Sequence, residues 1–193
     1  MKETENSMAQ AQSQKRRFTT YEIVIVAIFT AIALIVSFIE IPIMPAAPWL
    51  KYDPSGSVAL IVGFLFGPTP GSLVAILSWL PRIFTNPIGV IMNILGSLAI
   101  VIPSAMIYRK LYTMDGTMKA LIVGIICSLT ISILVNFIAT PLYYGGTVMD
   151  VVKMIIPILI PFNLIKLVAN SGIALLVYKP ISNMVKKPIK ANK

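Results

Sequence analysis

Long apolar runs alternate with short polar or proline-rich breaks along this chain. The first run covers about Thr20 to Glu40. The next segment, Ile41 to Ser57, is rich in proline and holds Trp49, Lys51, Tyr52 and Asp53, which predicts a structured loop at a membrane interface rather than a span. Apolar character resumes from Val58 to Leu80, but Gly67-Pro68-Thr69-Pro70-Gly71 interrupts it with the strongest turn signal in the chain, predicting two short helices in place of one kinked span. Further runs cover about Pro87 to Tyr108, Ala120 to Leu142 and Val151 to Tyr178, divided by the polar stretch Arg109 to Lys119 and by Tyr143-Tyr144-Gly145-Gly146. Several of these runs approach or exceed the roughly 20 residues a helix needs to cross about 30 Å of hydrocarbon. The pattern predicts an all-α integral membrane protein with six transmembrane helices in a compact bundle over residues 19–180, between a flexible tail at 1–18 and a basic tail at 181–193.

Composition agrees with lipid as the main solvent. Of the 193 residues, 57% are apolar and 12% charged, where a soluble domain carries about 25% charged residues. The net charge of +9 does not point to nucleic acid, because the basic residues gather at the two ends and in one central loop rather than on a folded face. Topology accounts for them better. With the N-terminus in the cytoplasm and six segments, Lys2, Lys15, Arg16, Arg17, Arg109, Lys110, Lys119, Lys179, Lys186, Lys187, Lys190 and Lys193 fall on the cytoplasmic side, in keeping with the positive-inside bias. One span across Val58 to Leu80 would put Arg109 to Lys119 outside and separate the termini. The expectation is a multi-pass protein of the cell membrane with both termini cytoplasmic. The first run follows Lys15-Arg16-Arg17 in the manner of a signal peptide, but it exceeds the usual 7–15-residue apolar region and reads as a retained first helix.

The absences narrow the chemistry. There is no histidine and one cysteine, Cys127, inside an apolar run, so disulfide frameworks and the usual zinc sites are not expected. No Walker-type glycine loop with lysine is present, so ATP hydrolysis is not expected of this chain. Of the seven acidic residues, those near the apolar runs sit at run ends and form no cluster that could hold a catalytic metal or serve an intramembrane enzyme. Neither an enzyme nor a bound cofactor is expected.

Polar residues inside apolar runs mark the candidate site, since an intramembrane ionisable group is costly without a partner. In the last run Asn163, Lys166 and Asn170 are spaced i, i+3 and i+7, which places them on one helix face. Lys166 lies 12 residues before Tyr178, about 18 Å along a helix, too far for simple snorkelling to that end. The face reads as one wall of a polar pocket, or as interhelical hydrogen bonding. Asn136 in the fifth run is suited to complete such a pocket. In the loop, Tyr52 offers a flat face and a hydroxyl, Trp49 suits an interfacial anchor, and Asp53-Pro54-Ser55-Gly56 suits a turn or helix start. Ala27 and Ala31 form a small-xxx-small pair that admits close helix approach.

Leu50-Lys51-Tyr52-Asp53-Pro54-Ser55, Gly63-Phe64-Leu65-Phe66-Gly67-Pro68, Asn86-Pro87-Ile88-Gly89 and Asn163-Leu164-Ile165-Lys166 together resemble the riboflavin-specific substrate-binding subunits of energy-coupling factor (ECF) transporters. The resemblance runs from the first apolar run to the last. It implies a six-helix subunit that binds riboflavin, as transported ligand, from the extracellular side and docks on a transmembrane coupling protein driven by two ATPase subunits. By the same resemblance Ala27 and Ala31 meet the coupling protein, Asn136, Asn163 and Lys166 bond the flavin ring system, and the Lys51–Tyr52 loop closes over the site. A subunit for another vitamin or for flavin mononucleotide, a membrane enzyme acting on lipid, and a ligand-free scaffold subunit are the alternatives.

Overall fold

The computed structural model describes residues 18–111, 113–144 and 147–190. The tail expected at 1–18 lies outside the described residues except for Phe18, as does the end of the basic tail at 191–193. Helix α1, Thr20–Ser37, starts at a capping box in which Thr19 and Glu22 satisfy each other's backbone N–H groups. The proline-rich loop that follows contains a small antiparallel pair, β1 (Ile41–Pro42) with β2 (Lys51–Tyr52), in the register Ile41↔Tyr52 and Pro42↔Lys51.

Helices α2 (Ser55–Phe66) and α3 (Pro68–Trp79) are separated only by Gly67, whose φ of 105° suits glycine. They fold back on each other as an antiparallel pair. Trp79 Nε1 donates to Ser55 Oγ at 3.0 Å, and a Cβ on Gly71 would stand 2.7 Å from Gly63 Cα; both couples are symmetric about Gly67. This decides the ambiguity in the Val58–Leu80 run in favour of two helices. Each has 12 residues, about 18 Å of helix, which is short of the hydrocarbon thickness.

A 3-10 turn at Leu80–Phe84 leads to α4 (Pro87–Leu111). Helix α5 (Met114–Tyr144) runs back along it, joined by hydrogen bonds from Ser104 Oγ to the Ala120 carbonyl at 3.0 Å and from Ser128 Oγ to the Gly96 carbonyl at 2.8 Å. The final run is not one uniform helix. A second capping box at Thr147 and Asp150 opens α6 (Val148–Met154), which widens into a π-turn over Ile155–Leu159 before α7 (Ile160–Lys190). Pro157 and Pro161 lack the N–H groups that an unbroken α-helical ladder needs, which places the irregularity here. Helix α7 continues past the apolar limit at Tyr178.

The core is centred on α2. Leu60, Val62, Val74 and Val101 are fully buried, and Phe64, Tyr108 and Tyr178 form a ring cluster in which the two tyrosine hydroxyls are 2.6 Å apart. Large apolar side chains also face outward, among them Ile23, Ile28, Ile35, Ile138 and Leu176. With water outside, that surface would be unfavourable; against lipid it is the expected exterior. Among the described residues four helical stretches, Thr20–Ser37, Pro87–Leu111, Asp115–Leu142 and Val148–Met184, are long and apolar enough to cross a membrane.

Candidate functional site

The α2–α3 pair, α4, α5 and α7 enclose a cavity of about 380 Å³, within the roughly 300–1,000 Å³ typical of small-molecule sites. Apolar surfaces such as Trp79, Ile100 and Phe162 alternate around it with carboxamides and hydroxyls. Three of the residues singled out in the sequence, Asn136, Asn163 and Lys166, line it together, as does Asn170 from the same α7 face. Lys51 lines it from the hairpin. Tyr52 is not among the lining residues; its hydroxyl donates to Asn170 Oδ1 at 3.1 Å, so it braces a wall residue from behind. Ala27 and Ala31 are exposed on α1 and take no part in the cavity.

Lys166 is partnered twice. Its Nζ donates to Asp53 Oδ2 at 2.8 Å and to Asn93 Oδ1 at 2.6 Å. Asp53, which the sequence suggested chiefly as a turn residue, is buried and anchored further by Ser55, whose backbone N–H donates to Oδ1 at 3.2 Å and whose hydroxyl bonds the same oxygen. An acidic group just ahead of α2 also meets the exposed N–H groups of a helix start favourably. Sequence reading missed Asp53 as the ion partner and Asn93 altogether. The signal available was the demand of an intramembrane lysine for an anion, which does not say which carboxylate answers it.

The asparagines are half engaged. Asn136 Nδ2 donates to the Ser132 carbonyl at 2.7 Å while its Oδ1 accepts from Thr140 Oγ1 at 2.9 Å. Asn163 Nδ2 donates at 2.8 Å to the carbonyl of Leu159, the last residue of the π-turn. A carboxamide has two donor hydrogens and two acceptor lone pairs, so each fixes its orientation on its own helix and keeps hydrogen-bonding capacity for a ligand edge.

A second ionic cluster stands at the hairpin end. Glu40 is bonded by Arg82 and by Lys51, the latter at 2.8 Å. Arg82 also donates to the Ser37 carbonyl at 2.7 Å and lies over the rings of Trp79 and Phe38, 4.7 and 5.2 Å from their centroids. Burial would raise the Glu40 carboxyl, but the hydrogen bonds from Lys51 and Arg82 outweigh it and hold the group below the usual carboxylate range. Tyr52 is pushed up, by burial first and then by the neighbouring Asp53 charge. The cluster ties together the end of α1, the hairpin and the turn after α3, three elements that meet beside the cavity. Among the described residues no group of histidine, cysteine, aspartate or glutamate side chains is arranged to hold a metal ion.

Comparison with known proteins bears on this geometry. Residues 22–178 match the family described as ECF transporter, substrate-specific component. The riboflavin transporter RibU of Staphylococcus aureus (strain TCH60) is 29% identical over 187 residues, covering 91% of this chain and 95% of that protein. The riboflavin transporter FmnP of Bacillus subtilis (strain 168) is 24% identical over 158 residues, covering 75% of this chain and 83% of that protein. A solved structure described as the S component of a bacterial ECF transporter superposes with a TM-score of 0.75 at 27% identity, over 86% of this chain and 97% of that one.

Proposed function

This chain belongs to the substrate-specific components of ECF transporters, and from that premise we propose that it captures riboflavin from the extracellular side of the cell membrane. It is a multi-pass membrane protein of a transport system, and its family works with an energy-coupling module. The observation that carries the ligand assignment is the convergence of Asn136, Asn163 and Lys166 on one cavity walled by apolar side chains. A flavin ring presents two flat apolar faces and a uracil-like edge of alternating donors and acceptors. Carboxamides serve both kinds of edge atom and an ammonium serves carbonyl oxygens. The names of the two bacterial relatives support the same ligand.

In this reading α1, the α2–α3 pair, α4, α5 and the α6–α7 unit make six membrane segments with both termini cytoplasmic, consistent with the distribution of Lys and Arg. Lys51 and the hairpin cover the cavity, and Tyr52 supports them through Asn170. Ala27 and Ala31, exposed on α1, face the coupling protein, whose two ATPase subunits supply the energy that this chain lacks the phosphate-binding loop to obtain.

The test is flavin absorption and fluorescence titration of the protein purified in detergent. Stoichiometric, saturable riboflavin binding is expected. Lys166→Ala and Asn136→Ala should each weaken it about tenfold or more, the scale of a lost hydrogen bond in a desolvated site. Wild-type affinity in both variants would refute the assigned pocket. The same titration with flavin mononucleotide and with other vitamins separates riboflavin from its alternatives.

A further inference from the structure

We infer that Asp53 is the positioning residue of the cavity, holding the Lys166 ammonium with its charge compensated toward a neutral, carbonyl-bearing edge of the ligand; the ligand rests on the riboflavin reading above. Asp53 is 2% exposed and fixed on several sides. Its Oδ1 is held by Ser55, which in turn accepts from Trp79 Nε1 at 3.0 Å, and its backbone carbonyl accepts from Asn170 Nδ2 at 3.4 Å. The flexible member of the pair is Lys166, with its four-carbon stem. Of the three N–H donors of the ammonium, Asp53 and Asn93 occupy two. The third is left for the cavity that Lys166 lines.

The charged side chains lining this cavity are Glu40, Lys51, Asp53 and Lys166, and each lysine faces a carboxylate. Lys166 thus offers a hydrogen bond without an unbalanced charge, which suits a carbonyl oxygen and penalises nothing in a neutral ring. Without Asp53 the same ammonium would keep only Asn93 as a partner, its charge uncompensated, and would favour an anionic edge instead.

The experiment is a double-mutant cycle on the full chain in detergent, with Asp53→Asn, Lys166→Met and the double variant. Two readouts are taken: riboflavin affinity, and the pH at which the imide N–H of the bound flavin ionises, followed by its absorption spectrum. Asp53→Asn should weaken binding by about 30-fold or more, as when one partner of a desolvated charge pair is lost. It should also lower the pH of imide ionisation, because the uncompensated ammonium stabilises the anion. In the Lys166→Met background, where no ammonium is present to act on the imide, the same substitution should change affinity by far less than about 30-fold and move the ionisation less than in the single variant.

An equal loss in both backgrounds, or no loss and no shift in the single variant, overturns the inference. Should Asp53→Asn alone fail to fold, thermal stability without added flavin decides: the double variant should melt no lower than Lys166→Met, which strands a buried carboxylate, and a lower melting point overturns the pairing. Failure of the riboflavin reading itself looks different, since the unaltered chain would then bind no riboflavin while the stability comparison still reported on the pair.

Discussion

Substituting alanine for Gly71 places a methyl group where α2 and α3 cross backbone to backbone. The new Cβ would stand 2.7 Å from both Gly63 Cα and Val101 Cγ1, and 2.9 Å from Gly63 N. Carbon atoms settle about 3.5–4.0 Å apart, so the two helices must part by roughly 1 Å, because two of the three obstacles are main chain and cannot rotate away. Overpacking of this kind costs about 1–3 kcal/mol, and the rigid obstacle places Gly71→Ala near the upper end. At about 2–4 °C per kcal/mol for a chain of this size, the apparent Tm should fall by about 6–12 °C.

The same movement reaches the cavity, because Gly56 and Leu60 of α2 and Trp79 of α3 line it, so riboflavin should also protect the variant less against heating. Gly172→Ala is the matched control. A Cβ there meets nothing within 4 Å, and the loss of unfolded-state freedom should stabilise by about 0.4–1 kcal/mol. The assay is thermal unfolding in detergent with and without riboflavin. If Gly71→Ala melted at or above Gly172→Ala, the close crossing of α2 and α3 would be wrong.

Acid should loosen the hairpin end. Glu40 has a lowered pKa in the folded protein, so the stability it contributes is present above the ordinary carboxylate value of 4.5 and is lost as pH falls through the lower folded value. Riboflavin release, followed by flavin fluorescence, should therefore accelerate in that acid window, and Glu40→Gln should release faster at neutral pH with no such acid step; an unchanged release profile would dissociate the cluster from gating. Tyr52→Phe removes the hydroxyl bond to Asn170 and should cost about 0.5–1.5 kcal/mol of stability, with affinity reduced about tenfold at most because Tyr52 does not line the cavity. The double substitution Ala27→Leu and Ala31→Leu should abolish co-purification with the coupling module while riboflavin affinity stays within about twofold, since both positions are exposed and neither lines the cavity; retained co-purification would place docking elsewhere.

How much of this was legible beforehand depends on the distance over which each feature acts. Apolar run length and the Gly67-Pro68 break are local, and the helices appear where those signals put them, including the two short ones. The alignment of Asn163, Lys166 and Asn170 is also local, because it follows from helical spacing alone. Boundaries moved where unseen hydrogen bonds extend or widen a helix: α5 begins at Met114 rather than near Ala120, and the last run divides at the π-turn over Ile155–Leu159. Composition and run length thus determined that the chain lives in lipid, and periodicity determined which face of α7 carries polar groups.

Only the tertiary structure decided what those groups meet. Asp53 and Lys166 are 113 positions apart, Asn93 answers from a third element, and Glu40 joins Lys51 to Arg82 across the hairpin and the turn after α3. A buried charge requires a partner, but nothing periodic in the chain encodes which one. That choice is made when helix packing brings remote segments to within a hydrogen bond of each other: α2 packs against α7, and Asp53, just ahead of α2, meets Lys166 on the cavity wall.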